Sequence, residues 1–468
     1  MKIKMESKSL LKIEEQKGKV NGKHPEVVLV SPCKIDDGIL KFSNEDQSRF
    51  IQIFDKKTFS SCFFIPASGS GSRMFQFLFD FLETPNDLNR SSVEKFLNHI
   101  SEFAFFQQLP LDMRKKIEKF DIDLEEFVTY LLKNEGMGYG EIPKGLVPFH
   151  KNTPFILNPF QEHVLQGAKL KTENVSFHFT VQSKFETAIK TVISQVQGLT
   201  GQQYNVSFSD QNSETDSIAF TKEGIPFLLE DGNVLQRPAG HGALLENINK
   251  IETDYIFIKN IDNVQHFSKS EHSLETWKLL GGILIDFRKE LIKLFNKTTL
   301  EDFKIFNDRF QLLPADSIKD LTINEIKEIL NRPSRVCGMV RNDGQAGGGP
   351  FWVNDEGKVT KQIVEKSQIT MKGNQYSLMV QSTYFNPVMI VASTKDVHEN
   401  KFDLNNFKDD SKFFVVSKKY KGQDVRFIEL PGLWNGSMSN WNSLFVEIPT
   451  NTFSPVKTVL DLLEGSHL

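Results

Sequence analysis

The sequence predicts an α/β fold of three layers, with a mixed, mostly parallel sheet flanked by helices. Three observations predict it. A short apolar run at 59–65 stops at Pro66 and passes through a glycine-rich turn into 73–82, where apolar residues recur at helical spacing. Strand-like and helix-like segments then alternate from residue 160 to residue 295. The chain has 468 residues, enough to bury a large core or to form two or three units.

Each element follows from its own pattern. Residues 1–57 read as an N-terminal arm with a helix near 45–54. Residues 84–135 read as a helical insertion, because Val93, Leu97, Ile100 and Phe103, then Leu124, Phe127 and Leu131, recur at three and four residues. Helices are predicted at 160–170, 184–197 and 274–295, and strands at 175–181, 204–209 and 254–260. After a glycine cluster at 342–350 come strand-like pieces at 351–353, 359–364, 388–391 and 413–417, and a last helix at 456–463. The resulting division is an arm (1–57), an α/β domain (58–391) and a β-containing C-terminal extension (392–468) packed on it.

Composition excludes several function classes. Hydrophobic residues make up 39% and charged residues 25%, the balance of a globular protein in water. A net charge of -4 gives no electrostatic basis for a nucleic-acid partner. The 41 Phe, against 7 Tyr and 4 Trp, point to a Phe-rich core instead of an aromatic binding face. Trp434 and Trp441 are expected to pack. Residues 1–23, rich in Lys and Glu, lack the apolar run of a secretory signal, and no apolar stretch is long enough to span a bilayer. Cys33, Cys62 and Cys337 are far apart and make no zinc or disulfide pattern. A cytoplasmic protein without a membrane partner is expected.

Four segments carry candidate chemistry. The turn Ala67-Ser68-Gly69-Ser70-Gly71-Ser72-Arg73 can cradle polyphosphate with backbone N–H groups, two hydroxyls and a guanidinium fork, or can simply be a tight strand-to-helix connection. It is neither a P-loop nor the usual dinucleotide fingerprint, because the Gly-Lys-Ser/Thr and the third glycine are missing. Lys144, in Pro143-Lys144-Gly145, can neutralise a transferring phosphate or can be a surface lysine in a turn. Gly240-His241-Gly242 can press backbone against a base or sugar, or can be a helix-entry loop. Asp262 follows a predicted buried strand, where open α/β sheets place ligands; it can hold Mg2+ or can cap a turn.

The order of these motifs resembles the eukaryote-type UDP-sugar pyrophosphorylases, UDP-N-acetylglucosamine pyrophosphorylase among them. That family has a glycine-rich loop ending Gly-Thr-Arg, then Pro-Lys-Gly, a Gly-x-Gly turn, and an Asp-Asn pair at a strand end. The counterparts are Gly69 to Arg73, Pro143-Lys144-Gly145, Gly240-His241-Gly242 and Asp262-Asn263, with Ser72 in place of threonine. Val336-Cys337-Gly338-Met339-Val340 and Lys361-Gln362-Ile363-Val364-Glu365 are similar to the segment that reads the sugar. The resemblance covers 59–391 discontinuously, and the insertion before Lys144 is longer than in common sugar pyrophosphorylases. The whole chain also resembles a family of bacterial proteins with a domain of unknown function, through 143–149, Tyr384-Phe385-Asn386-Pro387-Val388 and Leu430-Pro431-Gly432-Leu433-Trp434-Asn435-Gly436.

The resemblance implies a Rossmann-like, nucleotide-diphospho-sugar transferase fold. It implies a Mg2+-dependent nucleotidyltransferase whose partners are a nucleoside triphosphate and a sugar 1-phosphate. Arg73 and Lys144 would be catalytic. Ala67, Ser68, Gly69, Ser70, Gly71 and Ser72, with Gly240, His241 and Gly242, would bind the nucleotide. Gly338 and Glu365 would bind the sugar and Asp262 the metal, with Asn386 or Asp403 as possible second ligands. The alternatives are a nucleotide-binding protein of the same fold without catalysis, and a kinase, which the missing P-loop lysine argues against.

Overall fold

The computed structural model describes residues 7–22, 26–170, 174–342, 344, 348–370 and 372–468. The architecture is mixed α/β, with a large, mostly parallel β-sheet flanked by helices, consistent with a Rossmann-like nucleotidyltransferase fold. The chain divides into two compact units. One comprises Met1–Phe59, Gln211–Phe257 and Leu279–Ile448, and the other Ser60–Asp210, Ile258–Lys278 and Pro449–Leu468.

The second unit holds the glycine-rich turn. Its strands Ser61–Pro66, Val175–Thr180 and Asn205–Ser209 pair in parallel. Phe64 and Ile65 are wholly buried, as a central parallel strand requires. The helix Pro159–Leu170 closes on this sheet at Gly167, where a Cβ would stand 2.5 Å from the Phe177 ring. The helices Asp87–Asn98, Leu111–Glu118 and Leu124–Leu132 make up the insertion. Their apolar faces bury Val93, Phe96, Phe127 and Leu131 against Met74, Phe75 and Leu78, the residues just after the turn. The insertion therefore supplies the core that seats the helix Gln76–Glu83.

The end of the chain departs from the sequence prediction. The helix expected at 456–463 is a five-residue 3-10 turn, Val459–Leu463. Its start is spent elsewhere: Pro455 bridges to Asn263, and the Val456 N–H donates to the Asp262 carbonyl at 3.0 Å. Asp461 then takes the amides of Lys457 and Thr458, which fixes the entry to the turn.

In the first unit the strand Ser334–Arg341 pairs in parallel with Asn442–Glu447 and antiparallel with Met389–Ser393 and Tyr384–Phe385. Asn442–Glu447 pairs in turn with Gly38–Leu40. The pieces expected at 351–353 and 359–364 form an antiparallel hairpin, Gly349–Asp355 with Lys358–Val364, joined by Val28–Pro32 in a separate three-stranded sheet. The glycine cluster at 342–350 lies partly outside the described residues. The C-terminal β-structure also includes the hairpin of Phe414–Tyr420 and Gln423–Glu429. Cys33, Cys62 and Cys337 are free and buried.

One buried cation leads to a prediction. Lys259 ends the strand Tyr255–Lys259, is 3% exposed and has no ion pair among the described residues. Burial pushes its pKa from 10.5 down to about 8. Between those values the unfolded chain holds a proton that the folded chain has lost, so stability rises with pH across that window, and the full desolvation cost is present below it. Lys259→Met is expected to raise the melting temperature by a few degrees at pH 7, on the order of 2–3 kcal/mol, and to lose that advantage near pH 10. Thermal unfolding of both proteins from pH 7 to 10 checks this; an equal gap at every pH contradicts it.

Candidate functional site

Three of the four segments singled out in the sequence meet in the second unit. The glycine-rich turn leaves the strand Ser61–Pro66 at its carboxyl end. The Ala67 N–H is tied to the Thr180 carbonyl at 2.9 Å, and the Ser68 carbonyl accepts from Gln182 Nε2 at 2.9 Å. Beyond that point the turn zips to the Pro143-Lys144-Gly145 segment. The Gly71 N–H donates to the Ile142 carbonyl at 2.9 Å, Ser70 bridges Pro143, and the Lys144 N–H donates to the Gly69 carbonyl at 3.1 Å. Gly71 is required by this approach, since a Cβ there would stand 2.7 Å from the Tyr139 carbonyl oxygen. Gly69 faces open space, with nothing within 4 Å of a Cβ. The Ser70 and Ser72 hydroxyls lie 2.7 Å apart.

Lys144 reaches the Asp262 segment. Its Nζ donates to Asp262 Oδ2 at 3.0 Å, with side-chain exposures of 13% and 16%. Burial lowers the Lys144 pKa, and Asp262 opposes that shift. Burial by itself would raise Asp262, but Lys144 and then Lys457 more than offset it and hold the carboxyl below its ordinary value. Asp262 is therefore an anion with two cations on it. Arg73 is exposed, its guanidinium has no hydrogen bond or ion pair among the described residues, and it adds its charge to the field at Lys144. Three cations against one carboxylate leave a local positive excess beside exposed backbone, the electrostatics of an anion site.

The helix Pro159–Leu170 holds the Asp262 loop in place. His163 Nε2 donates to the Ile261 carbonyl at 3.1 Å, Gln166 Nε2 donates to the Gln265 carbonyl at 2.7 Å, and the Phe267 N–H reaches Glu162 Oε1 at 3.4 Å. Burial and the nearby Lys259 charge push the His163 pKa down to about 3, so this ring stays neutral. The far side of the loop is held by Pro449–Leu468, where the Ser454 N–H donates to Asn263 Oδ1 at 3.0 Å and the His266 N–H to the Ser466 carbonyl at 3.0 Å.

The other predicted residues belong to the first unit. Gly240 takes φ +75° and leads into the 3-10 turn His241–Leu244. The His241 ring stacks on Trp434 with centroids 4.6 Å apart, and a Cβ on Gly242 would stand 2.2 Å from the Pro431 carbonyl oxygen. Gly338 lies within the strand Ser334–Arg341, where a Cβ would meet Ile448 at 2.4 Å, and its carbonyl accepts from Asn386 Nδ2 at 3.0 Å. Glu365 caps the 3-10 turn Lys366–Gln368 and lines a cavity of about 390 Å³ together with Asn342, Phe351, Ile369 and Tyr384.

These geometries stand beside a comparison that covers the chain from end to end. The sequence profile of a family described as a domain of unknown function, DUF4301, matches residues 1–468. The chain belongs to the DUF4301 family. No curated protein matches its sequence. Its structure is similar to that of the uridine diphosphate N-acetylglucosamine pyrophosphorylase from Trypanosoma brucei in complex with inhibitor, at a TM-score of 0.50 and 12% identity over 92% of this chain and 72% of that one. It is also similar to the UDP-glucose phosphorylase from Trypanosoma brucei, at a TM-score of 0.47 and 13% identity over 98% and 75% of the two chains. At these identities the likeness is one of fold.

For this DUF4301 chain, sequence reasoning missed Lys457, whose Nζ lies 3.7 Å from Asp262 Oδ2. No local spacing marks it, because it reaches Asp262 only through the folding back of Pro449–Leu468. It also missed His163, whose signal, a histidine on an otherwise mixed helix face, is indistinguishable from a packed one. The possible second metal ligands are committed elsewhere. Asn386 serves Gly338 and Val388, and Asp403 caps Leu404–Phe407 and accepts from Asn249.

No group of three or more His, Cys, Asp or Glu able to hold a metal occurs among the described residues. Mg2+ commonly takes one or two protein carboxylates and completes its shell with phosphate oxygens and water. Asp262, a half-buried carboxylate held in its charged form, is of the donor type that role needs, and Lys144 occupies its Oδ2 in this structure. No helix among the described residues is long and apolar enough to cross a membrane.

Proposed function

We propose that this protein is a nucleotidyltransferase that couples a nucleoside triphosphate to a sugar 1-phosphate and releases pyrophosphate. The observation that carries the reading is the convergence, within one unit, of the glycine-rich turn, Lys144 and Asp262. An exposed backbone turn with a surplus of cations beside one carboxylate suits a bound polyphosphate. The fold shared with the trypanosomal pyrophosphorylase adds support.

In this reading the turn from Ala67 to Ser72 holds the triphosphate through its N–H groups and hydroxyls. A phosphate oxygen of the sugar 1-phosphate attacks the α-phosphorus in line. The new P–O bond forms as the bond to the bridging oxygen breaks, and that oxygen leaves with the electron pair as part of pyrophosphate. Lys144 moves from Asp262 to the α-phosphate and neutralises its developing charge. Arg73 and Lys457 do the same for the departing phosphates. Asp262, freed from Lys144, would hold Mg2+, which supplies further charge neutralisation on the phosphate oxygens. Gly240, His241 and Gly242 are assigned to the base or sugar, and Gly338 and Glu365 to the sugar.

The test is pyrophosphate release from the four common nucleoside triphosphates, each with a panel of sugar 1-phosphates that includes glucose 1-phosphate and N-acetylglucosamine 1-phosphate. At least one pair is expected to react in a Mg2+-dependent manner. Tight nucleotide binding by calorimetry with no turnover for any pair would instead support a binding protein of this fold. Release of nucleoside diphosphate would mark a kinase.

A further inference from the structure

The segment Leu430-Pro431-Gly432-Leu433-Trp434-Asn435-Gly436 stands out in the sequence, and the reaction assigned above makes no use of it. In the first unit it is a rigid loop. The Asn435 N–H donates to the Gly432 carbonyl at 2.9 Å, and Ser437 Oγ donates to the Pro431 carbonyl at 2.6 Å. The wholly buried Arg335 anchors it, with NH1 on the Trp434 carbonyl at 2.7 Å and Nε on Ser443 Oγ at 2.8 Å. What this anchoring fixes is the carboxamide of Asn435, which is 2% exposed.

That carboxamide is aimed at Glu365. Asn435 Nδ2 donates to Glu365 Oε1 at 3.3 Å and to Gln368 Oε1 at 3.2 Å, and Gln368 Oε1 also accepts from the Glu365 N–H at 2.9 Å. Two acceptor oxygens facing one group settle which end of the amide is nitrogen. The opposite end, Asn435 Oδ1, is then buried with no hydrogen-bond partner among the described residues. An orphaned buried carbonyl costs about 1–3 kcal/mol, a cost that leucine at this position would avoid. The asparagine serves through its NH2, and that NH2 serves Glu365. Asn435 does not line the cavity that Glu365 lines; it holds the carboxylate from outside.

We propose that Asn435 is a positioning residue, which holds the Glu365 carboxylate in the orientation that accepts hydroxyl hydrogen bonds from the sugar of the acceptor. The inference rests on the role given to Glu365 above. A carboxylate with one oxygen tied by Asn435 and a cap bond from the Gln368 amide keeps lone pairs free for a vicinal pair of hydroxyls, and loses few rotamers on binding.

The experiment uses the full chain, UTP, and glucose 1-phosphate or N-acetylglucosamine 1-phosphate, with KM for each substrate, kcat and melting temperature measured for wild type, Asn435→Ala, Asn435→Asp and Glu365→Gln. Asn435→Ala is expected to raise the KM for the sugar phosphate about tenfold, with the KM for UTP and the melting temperature nearly unchanged. Asn435→Asp sets a second carboxylate against Glu365. The ratio of its acceptor KM to that of wild type at the same pH is expected to be near one at pH 5.5, where the pair shares a proton, and to rise toward pH 8; taking the ratio cancels the titration of the sugar phosphate itself, which both proteins share. An unchanged acceptor KM in Asn435→Ala overturns the proposal. So does a parallel loss of both KM values and of thermal stability, which is the pattern of a merely structural residue. If Glu365→Gln leaves the acceptor KM unchanged, the role of Glu365 fails and the inference falls with it. If the wild type neither reacts with these substrates nor binds the sugar phosphates by calorimetry, the same two readings fall together.

Discussion

Lys144→Met is expected to lower turnover by about 10²–10³-fold while leaving the protein folded. Among the described residues the side chain makes one polar contact, the 3.0 Å bond to Asp262, and its removal leaves that carboxylate with Lys457 still beside it. Methionine has a similar length and no desolvation cost, so the melting temperature should move little. Asp262→Asn gives the complementary result. It frees Lys144 from its anion, so metal-free nucleotide binding should tighten even as Mg2+-dependent turnover collapses. Calorimetry with and without Mg2+, beside pyrophosphate release, reads both effects. If Asp262→Asn binds nucleotide no better without metal, the ion pair does not mask a phosphate site.

Gly71→Ala and Gly69→Ala should behave oppositely, although both change one methyl in one turn. At Gly71 the added Cβ meets the Tyr139 carbonyl at 2.7 Å and the Ile142 carbonyl at 3.3 Å. Both contacts are backbone and cannot rotate away, so the 69–72 and 142–144 segments must separate, at a cost of about 1–3 kcal/mol. Lys144 moves with its segment, and both nucleotide affinity and turnover should fall by more than tenfold. At Gly69 the Cβ points into open space, so the fold should be untouched. A drop in nucleotide affinity for Gly69→Ala with an unchanged melting temperature would then report a ligand approaching that backbone. Equal affinity in Gly69→Ala and wild type would remove the turn from the phosphate site.

The legible parts of this protein are those with local causes. The run at 59–65 followed by Pro66 and glycines reads as a strand and a sharp turn, and the strand Ser61–Pro66 is there. The spacing of Val93, Leu97, Leu124 and Leu131 reads as helix, and the structure buries those faces around Phe96 and Phe127. The helix expected at 456–463 was misread because its apolar spacing is real but its first residues are claimed by the Asp262 loop. Backbone pairing across the fold outweighs a local preference worth tenths of a kcal/mol per residue. Glu365 was singled out only through the resemblance of 361–365 to the sugar-reading segment; that its side chain caps a 3-10 turn and leans on Asn435 was not legible.

By itself the sequence determined the α/β class, the glycine-rich turn, and the residue types able to meet a phosphate: Arg73, Lys144 and Asp262. These rest on periodicity, on turn chemistry and on the order of short motifs, all of which are local. Only the tertiary structure decided which of them meet. It brought Lys144 to Asp262, added Lys457 from the far end of the chain, set His163 beneath the loop, and gave Gly71 and Gly69 different reasons to be glycine. The physical reason is that charge pairing and backbone approach depend on distance in space, which residue spacing along the chain does not encode.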